Sequence, residues 1–385
     1  MKIVGIICEY NPLHNGHVKQ FGIIRDLLGR DTRIVCLMSG NYVQRGAPAI
    51  FDKSLRAQAA VMCGADLVLE LPVTYALSSA EGFAAGGVRI LGGFCDYLCF
   101  GSETGSTDTL LNTASALLSP AFPPMLHVGL DEGLSFPAAR SAALKAMGLD
   151  GDILLRPNDI LAVEYCKAIL SQGCAMHPLP ITRQGDYHAL EPDTENPSAT
   201  SIRERLLDQK SWTEFMSDNA AEVFSKASTH CTKAAERAIL ARLRTMTDAE
   251  FEALPYGSEG LWRKLMRESR RCGMLDEIIA AVKSKRYTRT RIDRMILCAF
   301  LGISKDFMDA PAPYARVLAF NDPGRALLKE AKEHVMLLNA GEKANHPYWG
   351  LEKRCGDLYG LCCIDRMEQP GIEETRRVYY HKENK

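Results

Sequence analysis

Met1-Lys-Ile-Val-Gly-Ile-Ile-Cys-Glu-Tyr-Asn-Pro-Leu-His-Asn-Gly-His17 is the stretch from which the rest of the chain is read. Residues 3–8 are a short, nearly continuous apolar run, the pattern of a strand buried on both faces in a parallel sheet. Residues 9–12 break it with polar and turn-forming side chains. His14, Asn15, Gly16 and His17 follow, and residues 18–28 return to helical spacing with Val18, Phe21, Ile24, Leu27 and Leu28 on one side. The order is strand, turn, histidine motif, helix. The turn therefore lies at the carboxyl end of a strand and at a helix N-terminus. Unpaired N–H groups there favour an anion, and open α/β sheets bind ligands at that edge.

The H-x-G-H spacing has a mechanical basis. Residues three apart on a first helical turn share a face, so His14 and His17 point the same way. Gly16 has no side chain and lets a nucleotide come close to the backbone. Two imidazoles beside a triphosphate can donate to oxygens that gain charge as pyrophosphate leaves. The plainer reading is that one histidine caps the helix and the other is incidental. The position directly after a buried N-terminal strand favours the functional reading.

Further apolar runs at 33–38, 66–71, 96–100 and 175–181 read as strands. Helical patterns at 53–63, 80–91, 109–118, 134–147 and 158–171 alternate with them. Such alternation specifies an α/β fold with a doubly wound parallel sheet, whose polar and glycine-bearing turns gather on one edge. Arg45 and Lys53 place positive charge there, and Glu103 suits either a helix cap or a ligand contact. Ser198-Ala-Thr-Ser-Ile-Arg203 opens another helix. Thr200 and Ser201 offer hydroxyls and N–H groups at its start, and Arg203 can neutralise phosphate oxygens. No Ser-His-Asp order, metal cluster or Walker A sequence competes for the site.

At 385 residues the chain is long for one core, and two domains are expected. A formal net charge of −1 means that any surface suited to nucleic acid is local. The thirteen cysteines are scattered, with no C-x-x-C pair, so neither a zinc spacing nor a disulfide framework is visible. They suit buried small hydrophobes in a reducing cytosol. No run approaches membrane-spanning length and no signal peptide is apparent. The expectation is a soluble cytoplasmic protein, and nothing marks a protein partner.

Beyond residue 207 amphipathic helical spacing dominates. The expected organisation is residues 1–207 as a nucleotide-binding domain and 208–385 as a mainly helical one. Between positions 261 and 294 there are eleven Lys or Arg against four acids. Lys283, Lys285, Arg286, Arg289, Arg291 and Arg294 make its densest part, with Tyr287 among them. Such a run suits a phosphate backbone, and a tyrosine can stack on an exposed base. Lys283, Arg286 and Arg289 recur at a spacing that shares one face wherever the chain is helical. The alternative is a solvated helical face.

Residues 8–17 resemble the HIGH-motif nucleotidylyltransferase superfamily. Together with Met38-Ser-Gly-Asn-Tyr-Val-Gln-Arg-Gly-Ala-Pro-Ala49, Gly64-Ala-Asp-Leu-Val-Leu-Glu-Leu-Pro72 and Phe100-Gly-Ser-Glu103, they resemble one family, the bacterial tRNA(Met) cytidine acetate ligases. Residues 198–203 resemble the second superfamily signature, with Ala199 where many members carry serine. The resemblance implies ATP binding along Ile7, Cys8, Glu9, Tyr10, Asn11, Pro12, Leu13, His14, Asn15, Gly16, His17, Val18, Lys19 and Gln20. It also implies ATP contacts at Gly101, Asn158 and Arg183. Acetate would attack ATP to give acetyl-adenylate, and the wobble cytidine of elongator tRNA(Met) would accept the acetyl group on its N4 amine. His14, His17 and Arg203 would serve the chemistry, the basic helical part would hold tRNA, and Mg²⁺ would accompany ATP without a protein metal site. Two other readings share parts of the pattern. One is a small-molecule nucleotidylyltransferase, and the other is a non-catalytic RNA-binding protein on a nucleotide fold, against which intact His14, His17 and Arg203 argue.

Overall fold

A computed structural model describes residues 1–182 and 197–382. The strands are β1 (Ile3–Cys8), β2 (Arg33–Ser39), β3 (Tyr42–Val43), β4 (Ala47–Pro48), β5 (Leu67–Leu71), β6 (Tyr97–Ser102) and β7 (His177–Thr182). β1 lies parallel to β2, with Ile3 opposite Arg33 and Ile7 opposite Leu37. β6 and then β7 continue the sheet on one side and β5 on the other, all parallel. The five apolar runs expected to be strands are these five. Their carboxyl ends share one edge, as parallel pairing requires. β7 tolerates Pro178 and Pro180 because it is the outermost strand on its side.

The central strands are largely apolar because both faces are covered. Ile3, Ile7, Val35, Leu37, Leu67 and Leu69 point to one core, shared with the helices Ala80–Leu91, Thr107–Leu118 and Pro157–Ser171. Val4, Ile6, Cys8, Ile34, Cys36 and Met38 point to the other, against the helices Asn15–Leu28 and Lys53–Met62. The period-2 alternation of a strand thus divides each run between two layers.

The later half of the chain does two things. It builds a helical body with its own core, including Leu243, Leu265, Ile278, Met295 and Leu351. It also returns to the sheet through β8 (Ala315–Asn321), β9 (Leu337–Asn339) and β10 (Tyr379–His381). β8 runs antiparallel to β5, and β9 and β10 run parallel to β8. The sheet is therefore mixed rather than wholly parallel, and the composition change near residue 208 does not mark where it ends. The helical core also takes in Tyr42 and Leu77, and Tyr42 Oη donates to the Cys355 carbonyl at 3.0 Å. Among the described residues no helix is long and apolar enough to cross a membrane.

Candidate active site

The histidine motif caps the helix Asn15–Leu28 reciprocally. The Gly16 N–H donates to His14 Nδ1 at 3.2 Å, and the His14 N–H donates to His17 Nδ1 at 3.3 Å. The two rings stack with centroids 3.8 Å apart. An imidazole nitrogen that accepts an N–H carries no proton, so each neutral ring holds its proton on Nε2. The same two bonds fix the tautomer of both neutral rings. These two bonds are the cap that the plainer reading expects, made by both histidines rather than one. Gly16 leaves room for the His14 ring: a Cβ there would sit 3.1 Å from His14 Cε1 and push the ring aside.

The second motif is bolted to the first. Ser198 caps the helix Ala199–Leu207, its Oγ accepting from the Ser201 N–H at 3.1 Å. Ser201 turns its own hydroxyl back to the Ser198 carbonyl, so its side chain serves the cap. Arg203 Nη1 donates to the Asn11 carbonyl at 2.6 Å and Nη2 to Thr200 Oγ1 at 3.0 Å. Asn11 Oδ1 in turn accepts from the Ile50 N–H at 2.7 Å. Two helix N-termini and a guanidinium converge on the turn after β1.

Several residues of the first motif are buried packing groups: Ile7, Cys8, Tyr10, Leu13 and Pro12. Tyr10 takes φ 44°, the left-handed turn that swings the chain off β1. Its hydroxyl meets Cys36 Sγ at 3.3 Å. Glu9 Oε1 accepts from the Gln44 N–H. Asn15 Nδ2 donates to the Glu214 carbonyl, and Gln20 to Cys99 Sγ. Gly16, His17 and Val18 are half-buried and Lys19 is exposed. Gly101 lies near the end of β6, the strand beside β1. Glu103 follows β6 and acts as a cap: its carboxylate accepts from the N–H groups of Asn158 and Asp159 and from Asn158 Nδ2. Asn158 thus sits at the start of Pro157–Ser171, on the same edge. Arg183 lies outside the described residues.

Two features had no clear signal in the sequence. Arg56 is fully buried and donates to four backbone carbonyls: Glu9 after β1, Ser39 and Gly40 at the end of β2, and Phe51. One cation thereby holds the turns of two neighbouring strands. Lys53, expected to lend charge to a ligand, is instead consumed by Glu70 at 2.8 Å and Glu373 at 2.9 Å. Burial opposes its charge, but Glu373 and Glu70 more than offset this and hold the ammonium above its usual range. Arg376 closes the same cluster, bonding Glu373 at 2.9 Å and Asp52 at 2.7 Å. The cavity beside Lys53, about 20 Å³, holds roughly one water and no nucleotide.

The basic run is only partly a surface. Lys283 and Lys285 are exposed and have no ion-pair partner among the described residues. Arg286 and Arg291 both pair with Glu259, at 3.3 and 3.0 Å, and Arg289 pairs with Asp293 at 2.9 Å. Helix begins only at Arg289, so the three-to-four spacing of Lys283, Arg286 and Arg289 corresponds to no helical face. Tyr287 is buried in the helical core with its hydroxyl on the Glu259 carbonyl at 2.6 Å, which removes it as a stacking platform. Arg294 is also buried; it lies over Tyr256 and donates to the Gln44 carbonyl at 3.3 Å. Gly46, beside it at φ 82°, packs against the Arg294 backbone where no Cβ would fit. Arg294, Gln44 and Glu9 form a short chain of bonds from the helical body to the first motif. Arg45 is exposed on the β3–β4 turn.

A family model described as HIGH Nucleotidyl Transferase matches residues 1–372. The chain is 36% identical over 403 residues to the tRNA(Met) cytidine acetate ligase of Clostridium acetobutylicum, spanning 98% of this chain and 99% of that one. It is 37% identical over 416 residues to the protein of the same name from Acetivibrio thermocellus, spanning 98% and 99%. The fold is similar to the crystal structure of Thermotoga maritima TmcAL (apo, form I), with a TM-score of 0.91 at 28% identity over 100% of both chains. Against the form of that protein bound with alpha-thio ATP the TM-score is 0.88 at 27% identity, again over 100% of both chains.

Proposed function

Because the chain belongs to the HIGH nucleotidyl transferase family, and within it to the tRNA(Met) cytidine acetate ligases, we propose that it is an ATP-dependent acetate ligase acting on elongator tRNA(Met). It joins acetate to the N4 amine of the wobble cytidine, giving N4-acetylcytidine, AMP and diphosphate. The observation that carries the reading is the pair of imidazoles fixed as Nε2–H donors at a helix N-terminus, with Arg203 bonded into the same turn.

An acetate oxygen attacks the α-phosphorus of ATP, the bond to the β,γ-bearing oxygen breaks, and pyrophosphate leaves with the electron pair. His14 and His17 donate to the phosphate oxygens whose charge grows in that step. Arg203 offsets triphosphate charge while holding the Asn11 turn. Gly101, Asn158, Arg183 and Thr200 complete the nucleotide contacts. The carboxylates of Glu103 and Asp159 are committed to a helix cap and to Ser102, Thr104 and Arg156; Mg²⁺ bound with ATP would neutralise part of the triphosphate charge. In the second step the cytidine amine attacks the acetyl carbon, loses a proton, and AMP leaves. Lys283 and Lys285 contact tRNA phosphates, with Arg286, Arg289 and Arg291 beside them. The bonds from Arg294 through Gln44 to Glu9 join the helical body to the first motif, which supports this division of labour. All thirteen cysteines are free, in keeping with a reducing cytoplasm.

The test is incorporation of labelled acetate into tRNA(Met) with ATP and without acetyl-coenzyme A. Labelled N4-acetylcytidine is expected after digestion. Transfer only from acetyl-coenzyme A overturns the ligase reading.

A further inference from the structure

A second cluster of chemically able side chains lies away from the nucleotide edge. His230 and Cys363 face each other across an isolated antiparallel bridge. The Cys231 N–H donates to the Cys362 carbonyl at 2.8 Å, and the Ile364 N–H to the Thr229 carbonyl at 2.9 Å. These bonds flank the bridge, so residues 230 and 363 are a non-hydrogen-bonded pair. In such pairs the opposing side chains stand closest and on one face. Glu368 joins them, its Oε2 3.3 Å from His230 Nε2. One donor atom from each of the three side chains lies within 4.8 Å of the others. The imidazole is 2% exposed and stacked on Tyr359 at 4.0 Å, and its Nδ1 is buried with no partner among the described residues.

We propose that His230, Cys363 and Glu368 form a binding site for one divalent transition-metal ion with the preferences of zinc. Imidazole nitrogen, thiolate and carboxylate are the donor set of four-coordinate zinc sites, and a thiolate with a carboxylate balances a dipositive charge. Bonds of about 2.0–2.3 Å bring the three donors closer together than they stand without the ion. Water completes the coordination on the side of Glu368, whose side chain is 22% exposed. Sequence spacing does not announce the site, since 138 residues separate His230 from Glu368. The ion ties residues 229–231 to residues 362–368. The His230 N–H also donates to the Ile50 carbonyl, and the Ile50 N–H donates to Asn11 Oδ1. The metal therefore braces the loop on which the first motif rests.

The full-length protein, stripped with a chelator, is titrated with Zn²⁺ against a chromophoric competitor and, separately, with Co²⁺ under ultraviolet and visible absorption. One equivalent per chain and a thiolate-to-cobalt charge-transfer band are expected. Cys363→Ser loses that band. Glu368→Gln, altered at the half-buried ligand, keeps the circular-dichroism spectrum and weakens Zn²⁺ binding at least about tenfold, the scale on which even outer-shell changes act. Absence of stoichiometric binding overturns the proposal. So does binding that is unchanged in affinity by Glu368→Gln, which would assign the metal to other thiols of the chain.

Discussion

Arg203 Nη1 and the carbonyl of Asn11 are 2.6 Å apart although 192 residues separate them in the chain. The bond to Asn11 and the one to Thr200 Oγ1 set the position of the guanidinium. One side chain thus fixes the distance between two helix N-termini.

Replacement of Arg203 by lysine keeps the charge but not the two-pronged reach to Asn11 and Thr200. Arg203→Lys is expected to fold normally, to lose about tenfold or more in kcat/KM for acetate-dependent ATP–pyrophosphate exchange, and to raise KM for ATP. Arg203→Met is expected to lose more. Equal activity of the lysine variant and the parent would show that charge alone suffices.

His17→Ala removes one Nε2–H donor and the cap on the His14 N–H. Acetyl-adenylate formation is expected to fall at least about a hundredfold, the scale for losing one transition-state donor. The lost cap destabilises by about 1 kcal/mol. Pyrophosphate release and thermal melting on the same preparation separate the two effects. Gly16→Ala, which presses a methyl group on the His14 ring, is expected to lower the same rate.

The exposed lysines and the buried tyrosine of the basic run separate tRNA binding from folding. Lys283→Ala with Lys285→Ala is expected to weaken tRNA binding and to flatten its log–log salt slope by about one to two units, at roughly 0.7–0.9 per phosphate contact. Adenylate formation without tRNA should stay near the parental rate. Tyr287→Phe removes only the bond to the Glu259 carbonyl. It should lower stability by about 1 kcal/mol and leave tRNA affinity unchanged. Filter binding over a salt series reads both.

Arg376→Met takes the cation from Asp52 and leaves Glu373 with Lys53 alone, and breaking a buried pair in this way destabilises by about 3–5 kcal/mol. Burial by itself raises the Asp52 carboxyl, but the Arg376 guanidinium overrides it and holds the group below the usual carboxylate range. A carboxyl depressed in the folded state contributes stability above its unfolded value of about 4 and loses it as pH falls towards the folded one. The difference in unfolding free energy between parent and variant is therefore expected to be full at neutral pH and to shrink in acid below about pH 4. Urea denaturation across pH 3–7 checks it.

The sheet was readable because Ile3, Val4, Ile6 and Ile7 have no polar residue among them, and the same holds for the runs of β2 and β5 up to Glu70. β8 was harder because Arg316 interrupts its apolar run. That arginine is buried, and partners distant in sequence make this tolerable: the Glu352 carboxylate and the Asn339 and Glu342 carbonyls. The helix Phe122–Asp131 was hidden by Pro123 and Pro124 in its first turn, where proline is harmless. The histidine motif declared itself because its partners lie within three residues. Arg56 could not, since its four acceptors are set by tertiary structure. Tyr287 shows the limit of charge counting: a basic neighbourhood in sequence does not say which ring faces in.

β5 ends at Leu71, and its partner β8 begins at Ala315. At roughly 5–20 residues per second, a ribosome takes about ten to fifty seconds to make the intervening chain. Throughout that interval β5 has an open edge, which invites pairing with foreign strands. Asp52 and Lys53 wait longer still, for Arg376 and Glu373, 324 and 320 residues downstream. A growing chain thus displays both nucleotide motifs well before the lock beside them can close.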